Sequence, residues 1–223
     1  MKIKTNPLLF ESESTPILTR RLVLARGAVA GLSLSLVPSL ALARFEVSTK
    51  RAEVVRFLGK PDAAVRVAEY FSMTCGQCGR FHRDTFPQVK KDLIDTGLIR
   101  FEMHPFPLDG LALRAHALCR TLTTDSYFKM VDTLLDNQES WIGAAEPVTE
   151  LKKFAKFAGI SSDTFDKMMR DRSYLEAIVQ LRQDAVSRYE ISSTPSFVVN
   201  EDKIFSGALS FDEFLSELNA FGI

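Results

Sequence analysis

The sequence predicts an α/β protein. A strand–helix–strand unit and a closing strand–hairpin–helix unit flank a long all-helical stretch. Three observations carry this. Residues 65–71 read as a strand that runs into a C-x-x-C helix start, and 98–104 read as the next strand. From about Leu108 to Glu190 prolines vanish except Pro147, and helical periodicity dominates. Phe197 to Asn200 and Lys203 to Ser206 then return to strand before an amphipathic helix.

The totals fit this plan. The 223 residues suit one domain, or one domain with a large insertion. At 46% hydrophobic and 25% charged the chain can build a sizeable core. A formal net charge of zero gives no support to nucleic-acid binding. Three cysteines in a chain this long do not make a disulfide scaffold.

Residues 1–43 read as an export segment. A polar start ends in Thr19-Arg20-Arg21, an apolar run follows from Leu22 to Leu42, and Ala41-Leu42-Ala43 supplies a small-residue cleavage site. Thr-Arg-Arg-Leu-Val-Leu also resembles a twin-arginine signal. A mildly acidic mature chain would begin at Arg44 and reach an oxidising compartment, where a disulfide persists.

Glu53 to Phe57 is a weak strand, ended by the turn-rich Leu58-Gly59-Lys60-Pro61-Asp62. Val65 to Phe71 is the central strand, and Ser72-Met73-Thr74 turns into Cys75-Gly76-Gln77-Cys78. Phe81, Val89 and Leu93 continue at helical intervals until Gly97, a C-cap beside Asp95 and Thr96. Cys75 thus falls at a helix N-terminus, where free N–H groups and the helix dipole stabilise a thiolate, and Cys78 one turn inside. This is the layout of a redox dithiol: Cys75 attacks and leaves, and Cys78 resolves. Leu98 to His104 is the next strand, parallel to the first. Helices follow near 110–123, 125–137, 147–158, 161–170 and 173–189, with a loop around Trp141-Ile142-Gly143 and with Asp163 and Ser173 near helix starts. Glu201-Asp202 forms the late hairpin turn, and Pro195 directly before a strand admits a cis or a trans peptide.

Other residues carry competing readings. A zinc site needs four ligands, and only His116 and Cys119, three apart on one helix, are placed to complete the C-x-x-C pair. The strand-then-helix setting favours redox use. His82 lies four after Cys78 on the same helix; a surface histidine is the expectation, with added positive potential at the dithiol as the alternative. His104 reads as structural, and Cys119 as a buried free thiol among leucines.

Glu69-Tyr70-Phe71-Ser72, Cys75-x-x-Cys78, Phe106-Pro107-Leu108-Asp109, the helical stretch and Thr194-Pro195-Ser196-Phe197 together resemble the DsbA-like branch of the thioredoxin fold, over about residues 50–221. The resemblance implies a thioredoxin fold with an all-helical insertion: export signal 1–43, first half 44–107, insertion 108–190 and second half 191–223. It implies a cis Pro195 facing the dithiol, Thr194-Pro195 as a substrate-facing loop, and Gly76-Gln77 as the tuning dipeptide. Glu69 falls where the family has a buried acid beneath the dithiol; such a carboxyl handles the proton of the resolving thiol, unless a lysine or arginine pairs with it. The implied activity is a periplasmic protein disulfide oxidoreductase that donates the Cys75–Cys78 disulfide to reduced exported proteins. No cofactor and no metal are required, a DsbB-type membrane quinone reductase reoxidises it, and a monomer is expected. The alternatives are a reductase or isomerase of the same fold, or a soft-metal carrier. The best-known relatives carry Pro-His between the cysteines. Gly76-Gln77 has no ionisable group, so a less depressed Cys75 pKa and a less oxidising disulfide are expected.

Overall fold

The computed structural model describes residues 47–223; the expected export segment, 1–43, lies outside the described residues. Five strands lie in the order β1-β3-β2-β4-β5: β1 (Arg56–Leu58), β2 (Val65–Phe71), β3 (Ile99–Pro105), β4 (Ser196–Val199) and β5 (Lys203–Ser206). The β2–β3 pair is parallel, from Val65 opposite Ile99 to Phe71 opposite Pro105, and the other pairs are antiparallel. Helices cover both faces of the central strand, so every β2 residue except Arg66 is buried and its polar–apolar alternation is weak.

The crossover from β2 to β3 is not one helix. It divides into α2 (Gly76–Asp84), α3 (Phe86–Val89) and a π-helical turn (Lys90–Ile94). Pro87 is the cause: it has no N–H to donate and is tolerated only at a helix start. Gly97 ends the segment with a φ of 82°, as a C-terminal glycine should.

Between β3 and β4 run α4 (Gly110–Thr121), α5 (Thr124–Asp136), α6 (Gln138–Ile142), α7 (Pro147–Phe157), α8 (Ser162–Arg170) and α9 (Arg172–Tyr189). The five helices expected here are present with ends shifted by one or two residues. The sixth, α6, replaces the expected loop around Trp141, because that indole is wholly buried and donates from Nε1 to the Leu134 carbonyl at 2.8 Å. The caps of α8 and α9 are Ser161 and Asp171, whose side chains accept from the N–H groups of Thr164 and Tyr174, and Asp163 and Ser173 lie in the first turns just behind them.

Glu53 corrects another expectation. It closes a short helix, α1 (Thr49–Glu53), capped by Ser48 and holding the buried Ala52, and the strand is confined to 56–58. Asn200 likewise leaves the strand. It and Glu201 take left-handed φ values in the β4–β5 turn, with Asn200 Oδ1 accepting from the Arg66 N–H at 2.8 Å. The chain closes with α10 (Phe211–Leu218), which opens on a Ser210–Glu213 capping box.

The main core joins one sheet face to α2, α10 and the helices that follow β3, around Phe81, Phe86, Phe101, Phe197 and Phe214. A smaller cluster of Ala68, Tyr70, Phe106, Ala185, Ile191 and Val198 fills the other face beneath α9. Among the described residues no helix is long and apolar enough to cross a membrane.

Candidate active site

The central strand delivers the chain to the site. After Phe71, Ser72 to Thr74 turn it so that Cys75 becomes the N-cap of α2, in extended backbone geometry. Its Sγ accepts from the Cys78 N–H at 3.4 Å, and as a thiol it donates to the Thr194 carbonyl at 3.3 Å. Cys75 is half-buried and Cys78 wholly buried, and both are free thiols. The Thr194–Pro195 peptide is cis and enters β4 beside the dithiol.

The environments push the two thiols apart. Cys75 is pulled down to about 5, chiefly by the hydrogen bond from Cys78 and then, against its partial burial, by Thr194 and the N–H groups of Cys78 and Gln77. Burial pushes Cys78 far up, reinforced by Cys75 and by the charge of Glu69. Gly76 and Gln77 are exposed, and a Cβ on Gly76 would meet nothing. The Gln77 contribution to the thiolate comes from its backbone N–H rather than its side-chain amide.

Glu69, opposite Phe197 on β4 and Met103 on β3, is fully buried. Its partner is neither lysine nor arginine. Both carboxylate oxygens reach His82 Nε2, at 2.9 and 3.2 Å. His82 is therefore not a surface residue. It is 5% exposed, packed among Phe71, Phe81 and Phe86, because α5 covers the flank of α2 that the sequence left open. His104 pairs with Glu102 at 3.0 Å and stacks on Tyr70, a structural setting. His116 and Cys119 are both wholly buried in α4, and burial raises the Cys119 thiol.

Two further contacts tie the helices after β3 to the Cys75 turn. Gln138, at the start of α6, donates from Nε2 to the carbonyls of Met73 at 2.9 Å and Cys75 at 3.0 Å. Thr74 donates to Asp109 Oδ2 at 2.7 Å, while Asp109 Oδ1 caps α4. Nothing in the spacing of Gln138 marks it, since its partners lie more than sixty residues upstream. A groove of about 800 Å³ opens beside the dithiol, lined by Thr74, Gly76, Arg83, Asn137, Gln138 and Ile142 among others.

A thioredoxin family model matches residues 51–220. The chain is 28% identical over 157 residues to a putative protein-disulfide oxidoreductase of Rickettsia bellii, covering 70% of this chain and 61% of that protein. It is 26% identical over 170 residues to disulfide bond formation protein D of Bacillus subtilis, covering 70% and 72%. The match spans 52% to 61% of the length of the Rickettsia relatives. Among solved structures it resembles Wolbachia pipientis alpha-DsbA1, with a TM-score of 0.68, 25% identity and coverage of 75% and 90%. Oxidised BdbD from Bacillus subtilis has the same fold, with a TM-score of 0.65, 23% identity and coverage of 78% and 95%. The five-stranded sheet with its helices, the dithiol at the start of α2 and the family match over 51–220 lead to one conclusion: this chain belongs to the thioredoxin family, with the fold of its DsbA proteins.

Proposed function

We propose that this chain is an exported protein disulfide oxidoreductase that donates the Cys75–Cys78 disulfide to reduced proteins. One observation carries the reading: an accessible, acidified thiol caps a helix, and a buried thiol of raised pKa lies one turn inside. A substrate thiolate attacks Cys75 and Cys78 leaves; the substrate's second thiolate then displaces Cys75, whose stabilised thiolate is a good leaving group. Glu69 handles the proton of Cys78, and Thr194-Pro195 forms the edge against which an extended substrate lies. The helices of 108–190 act as an insertion between the halves 44–107 and 191–223. Residues 1–43 direct export to the periplasm, where a DsbB-type membrane quinone reductase reoxidises a monomeric enzyme.

The Cys75 thiolate draws on hydrogen bonds from Cys78, Thr194 and backbone N–H groups, with no ionisable group between the cysteines to add charge as in the Pro-His relatives. A less stabilised thiolate makes the disulfide a milder oxidant. The test is a glutathione redox titration read by acid quench and alkylation, with the iodoacetamide rate of Cys75 followed against pH. An equilibrium on the oxidising side of the glutathione couple, with an alkylation midpoint near 5, is expected. A reducing equilibrium would instead assign the chain to the reductases or isomerases of this fold, and thiols that never join would leave the soft-metal reading.

A further inference from the structure

We propose that His82 and Asp132 carry the proton that buried Cys78 loses or gains, linking Glu69 to solvent. The inference rests on the exchange reading above and on Glu69 as its inner carrier.

Cys78 cannot exchange a proton with water directly, because it is wholly buried, and so is Glu69. Among the described residues the Glu69 carboxylate hydrogen-bonds only to His82 Nε2, at 2.9 and 3.2 Å, and the Phe71, Phe81 and Phe86 rings pack around that imidazole. On the far side of the same ring, His82 Nδ1 is buried and has no hydrogen-bond partner among the described residues. It points toward Asp132 Oδ1 at 3.9 Å, and the Asp132 side chain is 54% exposed. Here one nitrogen grips the inner carboxylate, and the other faces an outer carboxylate that a small side-chain rotation brings into contact.

The ionisable groups that face this path are Glu69 on β2, Cys78 on α2 and Asp132 on α5, with Asp136 and Lys90 acting on Asp132. Burial raises the Asp132 carboxyl, which favours its holding a proton in transit.

Glutathione disulfide oxidises the reduced enzyme in two exchanges. Cys75 thiolate attacks one glutathione sulfur and expels the other half as a thiolate. Cys78 then gives its S–H proton to Glu69, attacks the Cys75 sulfur, and the Cys75–glutathione bond breaks as the Cys75–Cys78 bond forms. With His82 in its Nδ1–H tautomer, Glu69 passes its proton to the bare Nε2 and the Nδ1 proton leaves through Asp132 to water, which leaves the Nε2–H tautomer. Disulfide donation to a substrate runs the same path inward.

The test uses the purified full-length chain and glutathione disulfide, with stopped-flow emission from Trp141, the only tryptophan, checked by acid quench. The bimolecular phase reports Cys75, and the following first-order phase reports Cys78. Relative to the unaltered chain, His82→Gln should slow the second phase about tenfold and Asp132→Asn about threefold, each with a larger solvent deuterium isotope effect. Glu69→Gln should slow it as well. An unchanged second phase and pH profile in His82→Gln and Asp132→Asn, with Glu69→Gln slow, rejects the relay and keeps Glu69. An unchanged phase in all three rejects Glu69 too. If no bimolecular phase occurs, the exchange reading falls and the relay with it. Should His82→Gln not fold, Asp132→Asn, altered on the solvent side, decides alone.

Discussion

A Cβ on Gly79 would lie 2.2 Å from Gln138 Oε1 and 2.9 Å from Arg83 Nη1. The glutamine cannot swing aside freely, because its other amide atom holds the carbonyls of Met73 and Cys75. Gly79→Ala should therefore expel the amide and strand two acceptors of the Cys75 turn, at a cost of about 1–3 kcal/mol. A urea midpoint lowered at constant slope would register it. Gly76→Ala, whose Cβ meets open space, should instead leave stability equal or raise it by about 0.5 kcal/mol. Equal effects of the two changes would refute this account. The same pair of residues shows what spacing can and cannot reveal. Cys75 and Cys78 were legible because a strand, a turn and a helix start fix them within a short stretch of chain, whereas the buried place of Glu69 came from the family resemblance. His82 was legible as a neighbour on the helix but not as buried, since its cover, α5, begins more than forty residues later. Gln138 was not legible at all, because the carbonyls it serves are fixed by tertiary packing alone.

At the next scale, the C-terminal end of α4 is held by arginines rather than by a capping glycine. Arg56 is buried on β1, and its guanidinium donates to the carbonyls of Leu122 at 3.0 Å and Arg120 at 3.4 Å and to Thr124 Oγ1 at 2.8 Å. Arg51, from α1, adds a bond to the Thr121 carbonyl at 2.6 Å. The negative end of the helix dipole and the face of Tyr127 offset part of the burial cost of these cations. Burial still lowers the Arg56 pKa, with Arg120 adding repulsion. Arg56→Met should leave buried carbonyls of α4 without a donor and destabilise the fold by about 2–4 kcal/mol, read from denaturant midpoints. Arg56→Lys should recover little of that, since one ammonium cannot span the same three acceptors. A near-neutral Arg56→Met would show that the arginine is replaceable packing. These contacts explain why the chain before β1 misled the sequence reading. The 49–53 segment is helical because its ends and Ala52 are held by partners near α4 and α9, not because of local propensity. The long helices were legible because their periodicity is self-contained, whereas α6 exists only because Trp141 is buried.

For the molecule as a whole, the helices between β3 and β4 dock on the sheet partly through His116, whose ring meets the edge of Phe71 at 5.0 Å. Its ring is wholly buried with no side-chain hydrogen-bond partner among the described residues; burial, with Arg120 adding repulsion, pushes its pKa down to about 3 against a backbone contact at Phe71. The unfolded chain takes up that proton near the ordinary 6.5 and the folded chain refuses it. Between those values the unfolded state binds more protons, so stability rises with pH and is lost on acidification, by up to about 1.4 kcal/mol per pH unit. Cys75, Glu102 and the surface carboxylates Glu201 and Glu213 act with the same sign, and Asp132, raised by burial, acts against them. The Cys75 thiolate stabilises the reduced fold above the ordinary thiol pKa, and that gain is lost as pH falls toward 5. Glu102, raised by burial but brought below the ordinary range by His104, Arg100 and Arg66, adds its loss only through the carboxylate range. Working on the oxidised protein between about pH 5 and 7 removes the Cys75 contribution and largely avoids that of the lowered carboxylates. In that window the wild-type denaturation midpoint should fall steadily with acidification, and His116→Phe, an aromatic of similar size, should flatten the slope. If the two proteins show parallel slopes, the acid lability of the fold lies elsewhere than at His116. If the slope flattens, the protonation of His116 at the seam between the sheet and the helices carries the acid lability of the fold.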